Sequence, residues 1–173
     1  MNILVLNGSP RAEGNTSAMV KAFLEGVSDT GHTVTVIPVG QKRINGCLSC
    51  EYCHEKGNGT CIQQDDMTEV YSALNEAEMI VIASPIYHHN MTGQMQCTIN
   101  RFYAPGIPKK LKKCAMFLSS GGDHMYDGAL FEYRNTFLRY MKLEDFGVIT
   151  AHGEENKSPE KMEKIREFGR RLK

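Results

Sequence analysis

Four cysteines lie within fifteen residues of one another, in the spacing C-x2-C-x2-C-x7-C. They are Cys47, Cys50, Cys53 and Cys61. Two-residue gaps let successive thiolates turn toward one centre, and a C-x2-C-x2-C run is more typical of an iron–sulfur cluster than of tetrahedral zinc. The residues leave three outcomes open: a [4Fe-4S] cluster, a zinc ion, or metal-free thiols that stay reduced or form an adventitious disulfide.

A loop rich in glycine and hydroxyl groups, GSPRAEGNTS, occupies residues 8–17, directly after an apolar run. It leads into a predicted helix, whose first N–H groups and dipole favour an anion. The hydroxyls of Ser9, Thr16 and Ser17 and the charge of Arg11 add further donors for a phosphate. The loop lacks the Lys-Ser/Thr ending of a triphosphate loop and the three-glycine spacing of a dinucleotide fingerprint. We therefore expect a site for one phosphomonoester, the alternative being an ordinary strand-to-helix turn.

Two further polar loops, SPIYHHN at residues 84–90 and SSGGDH at residues 119–124, follow later apolar runs. In an open parallel sheet, ligands bind outside the carboxyl ends of the strands, so these loops should converge with the first one. Pro85, Ile86 and Tyr87 would supply a flat wall for a planar ring, and Gly121 and Gly122 would let the backbone approach it closely. The alternatives are a half-buried aromatic at the sheet edge for Tyr87 and solvent-exposed positions for the two histidines.

The elements that must position these loops are short apolar runs alternating with amphipathic stretches, which predicts a parallel sheet with helices between its strands. The predicted strands are residues 2–6, 33–39, 79–83, 114–118 and 146–151, and the predicted helices lie at 15–30, 67–74, 92–103, 130–141 and 159–172. The last helix has Ser158 as its N-cap and Pro159 at its first position. Cys97 and Cys114 fall in a helix and a strand and are expected to be buried. In residues 40–66 the apolar residues follow neither the helical nor the strand period, and long irregular connections of this kind are usually functional or disordered.

Length and charge narrow the function classes. With 173 residues, we expect one domain with a single core, spanning residues 1–173. Basic and acidic residues balance at 20 each, so no overall field favours nucleic acid or an anionic membrane as a partner. The apolar start is broken at once by Gly8 and Pro10 rather than ending in a cleavage site, so we expect a cytoplasmic protein.

The chain resembles the NADPH-dependent FMN reductase-like branch of the flavodoxin superfamily in three motifs taken together. These are the Gly-Ser-Pro-Arg-x-x-Gly-Asn-Thr loop, the Ser-Pro-Ile-Tyr loop and the Asp-Asp-Met run at residues 65–67. The resemblance covers nearly the whole chain. It implies an α/β flavodoxin-like three-layer sandwich: a five-stranded parallel sheet of order 2-1-3-4-5 with helices on both faces. The cysteine loop resembles that of the iron–sulfur flavoproteins within this branch, in which a cluster passes electrons to FMN.

Carried onto this sequence, the resemblance implies an FMN site built from three loops. The phosphate contacts would be Ser9, Arg11, Asn15, Thr16 and Ser17; the ring contacts would be Pro85, Ile86, Tyr87 and Asn90; the third loop would add Ser119, Ser120, Gly121 and Gly122. Relatives commonly carry a Lys and an Asp-Arg pair on the helix after the second loop. This chain has Gln96 and Asn100-Arg101 there, which retains Arg101 alone.

The function implied is that of an FMN-dependent NAD(P)H oxidoreductase, which passes electrons from a nicotinamide nucleotide through FMN to a small acceptor such as a quinone or a flavin. Because the flavin carries the chemistry, no catalytic side chain is named, and Tyr87, Asp123 and His124 are expected only to shape access to the ring. One alternative is an iron–sulfur flavoprotein that carries electrons between protein partners; another is a zinc-stabilised or redox-sensing binding module. The resemblance also implies a homodimer or homotetramer, with candidate contacts at Met91, Met95, Phe102 and Tyr103.

Overall fold

The apolar runs pair as strands of one sheet in the computed structural model, which describes residues 1–172. The strands are β1 (Asn2–Asn7), β2 (Thr33–Ile37), β3 (Met79–Tyr87), β4 (Asn90–Met91), β5 (Lys113–Ser120) and β6 (Glu144–His152). Five of them pair in parallel in the order β2-β1-β3-β5-β6, and the two-residue β4 pairs antiparallel with the end of β3. The predicted α/β class and strand order are confirmed, with one short strand more than the five expected.

Four of the five predicted strands, β1, β3, β5 and β6, run further than the sequence predicted, and the extension of β3 bears on the site. β3 was expected to end at residue 83, but Ser84 and Pro85 continue the ladder by pairing with Leu118 and Ser119 of β5. Proline is tolerated there because it lies near the end of the paired segment, where a missing N–H removes little. The second and third predicted loops therefore begin as strand ends, which fixes their first residues on a rigid element.

The helices are α1 (Asn15–Val27), α2 (Tyr52–Glu55), α3 (Met67–Glu76), α4 (Gly93–Asn100), α5 (Asp127–Glu132) and α6 (Pro159–Arg170). Short turns of 3-10 helix occupy Val39–Gln41, Arg101–Tyr103 and Gly153–Lys157, and α5 continues as a π-helix over Tyr133–Tyr140. The predicted N-cap of α6 is confirmed, because Ser158 Oγ accepts a hydrogen bond from Lys161 N at 3.2 Å. Among residues 1–172, no helix has both the length and the apolar character needed to cross a membrane.

The core lies on both faces of the sheet. Ile3 and Val5 of β1 pack in a cluster with residues of α1 and α6, whereas the alternating Leu4 and Leu6 pack on the opposite face with residues of α3, α4 and α5. α1 and α6 approach each other closely at Gly26, where a Cβ atom would lie 2.3 Å from the carbonyl oxygen of Arg166. This three-layer arrangement places the N-terminus of α1 at the carboxyl edge of the sheet.

Candidate functional site

The loop between β1 and α1 is folded tightly by its own hydrogen bonds. Ser9 Oγ donates to the Arg11 carbonyl at 3.0 Å and accepts from Arg11 N at 3.2 Å. Gly14 N donates to the same carbonyl at 3.2 Å. Gly14 is also the N-cap residue of α1, and it has no side chain to bond the N–H groups of the first turn. Those N–H groups are therefore available to an anion.

Two neighbouring elements, the turn after β2 and the start of α4, pack against this loop. A Cβ atom on Gly40, in the turn that follows β2, would lie 2.4 Å from the backbone carbon and oxygen of Ser9. Only glycine fits at that position without displacing the loop. On the other side, Thr92 Oγ1 at the start of α4 donates to the Gly8 carbonyl at 2.9 Å. The loop is thus held in place by packing that does not depend on a ligand.

A cavity of about 470 Å³ lies between this loop and the carboxyl ends of β3 and β5. Thr16 Oγ1 and Ser119 Oγ share a hydrogen bond of 2.7 Å, and both side chains are buried. The loops after β1 and β5 therefore converge, as the strand order requires. Ten of the thirteen predicted cofactor contacts line the cavity: Ser9, Arg11, Asn15, Thr16, Pro85, Ile86, Tyr87, Ser119, Ser120 and Gly121.

The other three predicted contacts lie outside the lining of this cavity. Ser17 Oγ donates to the Arg11 carbonyl at 3.0 Å. Asn90 Oδ1 accepts from Gln96 Nε2 at 3.1 Å, and the Gly122 carbonyl accepts from a hydroxyl at the end of β5. Their contact with a cofactor stays a prediction.

Five further residues line the cavity: Glu13 and Gly14, which belong to the predicted loop of residues 8–17, and Gly153, Asn156 and Lys157, to which the sequence did not point. Gly153, Asn156 and Lys157 belong to the turn after β6, the strand next to β5. Lys157 Nζ donates to the Glu13 carbonyl at 3.1 Å and so joins this turn to the loop before α1. The position of the last strand at the edge of the sheet was the one feature that could have predicted this wall.

The rim of the cavity is open beside Tyr87, whose side chain is 49% exposed. His88 and His89, with φ values of 47° and 66°, form the tight turn between β3 and β4 and are exposed. Asp123 and His124 also lie outside the lining, and the His124 N–H lowers the pKa of the Asp123 carboxyl by donating to it. Of the residues expected to shape access, Tyr87 alone lines the cavity.

Comparison with known proteins identifies the family. A family model described as NADPH-dependent FMN reductase matches residues 1–156, which include all six strands and the loop before α1. The chain belongs to this family. Its fold is flavodoxin-like, and the family is one of FMN-dependent oxidoreductases.

Curated relatives of this family member include two archaeal iron-sulfur flavoproteins. The one from Methanocaldococcus jannaschii is 38% identical over 126 residues, which are 71% of this chain and 63% of the relative. The one from Archaeoglobus fulgidus is 37% identical over 112 residues, which are 65% of this chain and 50% of the relative. The matched part of the chain thus spans between half and just under two thirds of the length of these relatives.

Solved structures show the same fold at lower sequence identity. An NAD(P)H:quinone oxidoreductase from Methanothermobacter marburgensis superposes with a TM-score of 0.72 at 16% identity, over 98% of this chain and 96% of the other. An FMN-dependent NADH-azoreductase from Bacillus anthracis, solved in complex with FMN, gives a TM-score of 0.72 at 17% identity, over 99% of both chains. At these identities the likeness establishes the fold alone.

The cysteine loop of this family member lies beside the C-terminal end of α4, where Cys47 lines a surface depression with Asn100 and Tyr103. Cys47 and Cys50 are exposed, Cys53 is buried, and all six thiols of the chain are free. Within residues 1–172, no three or more Cys, His, Asp or Glu side chains are gathered closely enough to hold a metal ion. The residue types and spacing match an iron–sulfur cluster, whereas the positions of the thiols in this structure do not.

Arg101 does not line the cavity; it is a buried residue at the base of the cysteine loop. Its Nη1 donates to Asp65 Oδ2 at 2.8 Å and to the Asn45 carbonyl at 3.0 Å. Burial alone would raise the pKa of Asp65, but the guanidinium and two backbone N–H groups lower it below its ordinary value. Asn45 precedes the four cysteines and Asp65 follows them, so this ion pair closes the loop at both ends.

The two remaining cysteines behave as structural residues to different degrees. Cys114 is buried in β5 as predicted, and burial raises the pKa of its thiol to about 11. Cys97 in α4 is only partly buried, so the expectation of burial holds for one of the two.

Three of the four residues predicted for subunit contacts belong to the core instead. Met91, Met95 and Phe102 are 3%, 0% and 6% exposed and pack with the α3–α5 cluster. Met95 lies under the loop before α1, 3.2 Å from a Cβ atom built on Gly8. Tyr103 alone is available to a partner, with 49% of its side chain exposed.

Proposed function

We propose that the chain binds FMN in the cavity at the carboxyl ends of β1, β3 and β5, with the phosphate at the N-terminus of α1. The observation that carries this proposal is the convergence of three groups on one cavity of about 470 Å³. These are the uncapped first turn of α1, the hydrogen-bonded hydroxyls of Thr16 and Ser119, and the half-exposed ring of Tyr87. Pockets of this size are usual for cofactors.

The residues that line the cavity fit the phosphate, the ring and the polyhydroxyl chain of FMN. Arg11 and Lys157 carry positive charge near the start of α1, where a phosphate gains charge-assisted hydrogen bonds. Pro85 and Ile86 give a rigid apolar wall, which suits a planar ring. Ser119, at the end of β5, is hydrogen-bonded to Thr16 and pairs with Pro85, so it adjoins both regions, and its hydroxyl suits a polyhydroxyl chain.

When bound, FMN supplies two-electron chemistry, accepting a hydride from NAD(P)H and returning electrons to a small acceptor such as a quinone or a flavin. The residues of the chain position the cofactor and control access to it. The half-exposed Tyr87 leaves one side of the cavity open, so the nicotinamide and the acceptor can occupy the same place in turn. We propose ping-pong turnover for this reason.

Titration of the purified chain with FMN tests the proposal. Thr16→Val removes a hydroxyl that is buried and bonded to Ser119, and should weaken FMN binding about tenfold. Thr33→Val is the matched control, because Thr33 is an exposed residue of β2. Flavin fluorescence measures binding, and NADPH or NADH oxidation in the presence of a quinone measures activity.

The outcomes separate the parts of the proposal. Failure of the unaltered chain to take up FMN would refute it entirely. Uptake of FMN without oxidation of either nicotinamide nucleotide would refute the NAD(P)H step and leave FMN binding in place. Equal weakening by Thr16→Val and Thr33→Val would show that the cavity is not the site.

A second candidate function is electron carriage by an iron–sulfur flavoprotein. The four-cysteine spacing favours it, as do the relatives that carry that name. Cys47, Cys50, Cys53 and Cys61 would be the ligands of a [4Fe-4S] cluster. Since the thiols are not gathered in this structure, no step of the proposed reaction is routed through a cluster.

Anaerobic purification followed by iron and acid-labile sulfide assays tests this candidate. About four irons per chain, lost on Cys50→Ser but retained on Cys97→Ser, would support a cluster in the loop. Cys97 is the matched control because it lies in α4, outside the four-cysteine spacing. Iron-free protein that still oxidises NAD(P)H would leave the reductase function as the only one.

We further propose a homodimer or homotetramer in the cytoplasm. Phe131 and Tyr140, 68% and 69% exposed, add to Tyr103 as large apolar groups that a second copy would cover. Six free thiols suit a reducing compartment. Light scattering on the purified protein measures its mass, and a monomer at micromolar concentration would refute the oligomer.

A further inference from the structure

Asn156, in the turn after β6, is a buried amide in the wall of the cavity. Its residue surface is 4% exposed, and it lines the cavity together with Ser120 and Gly153. Asn156 Nδ2 donates to the Ser120 carbonyl at 2.8 Å and to the Gly153 carbonyl at 3.0 Å. Asn156 Oδ1 is buried and has no hydrogen-bond partner within residues 1–172.

These contacts determine which way the amide is oriented. Both neighbours of Nδ2 are carbonyl oxygens, which can only accept hydrogen bonds. Rotating the amide by 180° would place Oδ1, itself an acceptor, against the Ser120 and Gly153 carbonyl oxygens, and no hydrogen bond could form. Oδ1 is therefore held as an unpartnered acceptor, and buried polar groups of this kind are normally satisfied by a partner.

Because Asn156 lines the cavity, we look for the missing donor on a molecule bound there. The phosphate of FMN and the carbonyl oxygens of its ring are acceptors, so the available donors are the ribityl hydroxyls and the ring N3–H. The next residue, Lys157, donates from Nζ to the Glu13 carbonyl at 3.1 Å, which places this turn beside the loop before α1. Asn156 thus lies toward the phosphate end of the cavity, where the hydroxyls rather than the far edge of the ring would be found.

We propose that Asn156 Oδ1 accepts a hydrogen bond from a ribityl hydroxyl of FMN, which makes Asn156 a specificity-determining residue for the polyhydroxyl chain of the cofactor. The proposal rests on the proposed function, because it needs FMN in this cavity. It assigns a cofactor contact to the turn after β6, in addition to the three loops that the sequence indicated.

Binding of FMN analogues to the full chain tests this contact. Affinities are measured by flavin fluorescence for FMN and for monodeoxy analogues that each lack one ribityl hydroxyl, with the unaltered chain, Asn156→Ala and the control Asn135→Ala. Asn135 is a partly exposed amide of the π-helical segment and does not line the cavity. For the unaltered chain and the control, we expect one analogue to bind about fivefold more weakly than FMN. For Asn156→Ala that difference should disappear.

A structural role would give a different pattern. If Asn156 served only to join Ser120 to Gly153, its loss would weaken FMN and every analogue by the same factor, and this result would overturn the proposal. If Asn156→Ala does not fold, Asn156→Ser replaces it, and the analogue series with the unaltered chain still decides, because equal affinities throughout that series exclude the contact. Absence of FMN binding by the unaltered chain would instead refute the proposed function itself.

Discussion

Replacement of Arg101 by methionine should remove a large share of the folding stability and loosen the cysteine loop. The Arg101 side chain is 1% exposed and that of Asp65 is 8% exposed, so the pair is shielded from water. Arg101 Nη1 lies 2.8 Å from Asp65 Oδ2 and 3.0 Å from the Asn45 carbonyl. Methionine keeps much of the volume but leaves a buried carboxylate without its cation.

The size of the effect follows from what Asp65 retains. Breaking a buried ion pair by removing one partner costs about 3–5 kcal/mol. We expect the lower end, about 3 kcal/mol, because Asp65 still accepts backbone N–H bonds from Asn45 and Met67. The double variant Arg101→Met/Asp65→Asn removes the stranded charge and should recover at least about 1 kcal/mol of this loss.

The pH dependence gives a second test. The pKa of Asp65 is lowered because its contacts with Arg101 and with backbone N–H groups outweigh burial, which alone would raise it. A depressed pKa contributes stability at neutral pH, and that contribution is lost as the pH falls through the folded-state pKa. In Arg101→Met, protonation of the stranded carboxyl relieves the penalty instead. The difference in unfolding free energy between the unaltered chain and Arg101→Met should therefore shrink as the pH falls from neutral toward about pH 4.

Urea unfolding followed by circular dichroism measures these differences at each pH. Arg170→Met is the matched control, because Arg170 pairs with Glu163 at 2.7 Å but is 55% exposed, and it should change stability by less than about 1 kcal/mol. A loss below about 1 kcal/mol for Arg101→Met, or a loss that does not vary with pH, would refute the reasoning about a buried charge pair.

Three further predictions test other parts of the molecule. Gly40→Ala should weaken FMN binding at least about tenfold, because its Cβ would overlap the Ser9 backbone, whereas Gly93→Ala, which faces open space, should not; equal affinities by titration calorimetry would contradict this packing. Glu132→Gln should raise the urea midpoint at neutral pH but not near about pH 3, because burial raises the pKa of Glu132 and its ionised form is therefore destabilising; equal gains at both pH values would indicate packing rather than charge. Cys114 should react with iodoacetamide only after denaturation, because its thiol is buried and burial raises its pKa to about 11; mass spectrometry showing labelling of the native protein would contradict this.

The fold followed from the sequence because its periodicities are strong. Five apolar runs separated by amphipathic stretches leave few arrangements other than a parallel sheet covered on both faces. The phosphate loop could also be predicted, since Gly14 and the hydroxyl residues Ser9 and Thr16 lie close in sequence to the start of α1 at Asn15. Both inferences depend on local spacing, which a single sequence displays directly.

The parts that the sequence did not reveal depend on contacts between distant residues. Arg101 could be assigned to the cysteine loop only once Asp65, 36 residues away, was seen to be its partner. Met91 and Met95 resembled surface residues until the packing of α4 against the loop before α1 was known. Asn156 lies in a polar turn whose sequence gives no reason for a buried acceptor.

α4 connects the two regions that the sequence singled out. Before its first turn, Thr92 Oγ1 donates to the Gly8 carbonyl at 2.9 Å; beyond its last turn, the hydroxyl of Tyr103 donates to Glu51 Oε2 at 2.9 Å within the cysteine loop. A helix of eight residues is about 12 Å long, so the two loops are held at opposite ends of one short rigid element. Arg101→Met acts at one end while the Thr92 contact remains. We therefore expect faster hydrogen exchange in residues 46–64 with unchanged FMN affinity, whereas a parallel loss of affinity would mean that α4 transmits the disturbance to the cavity.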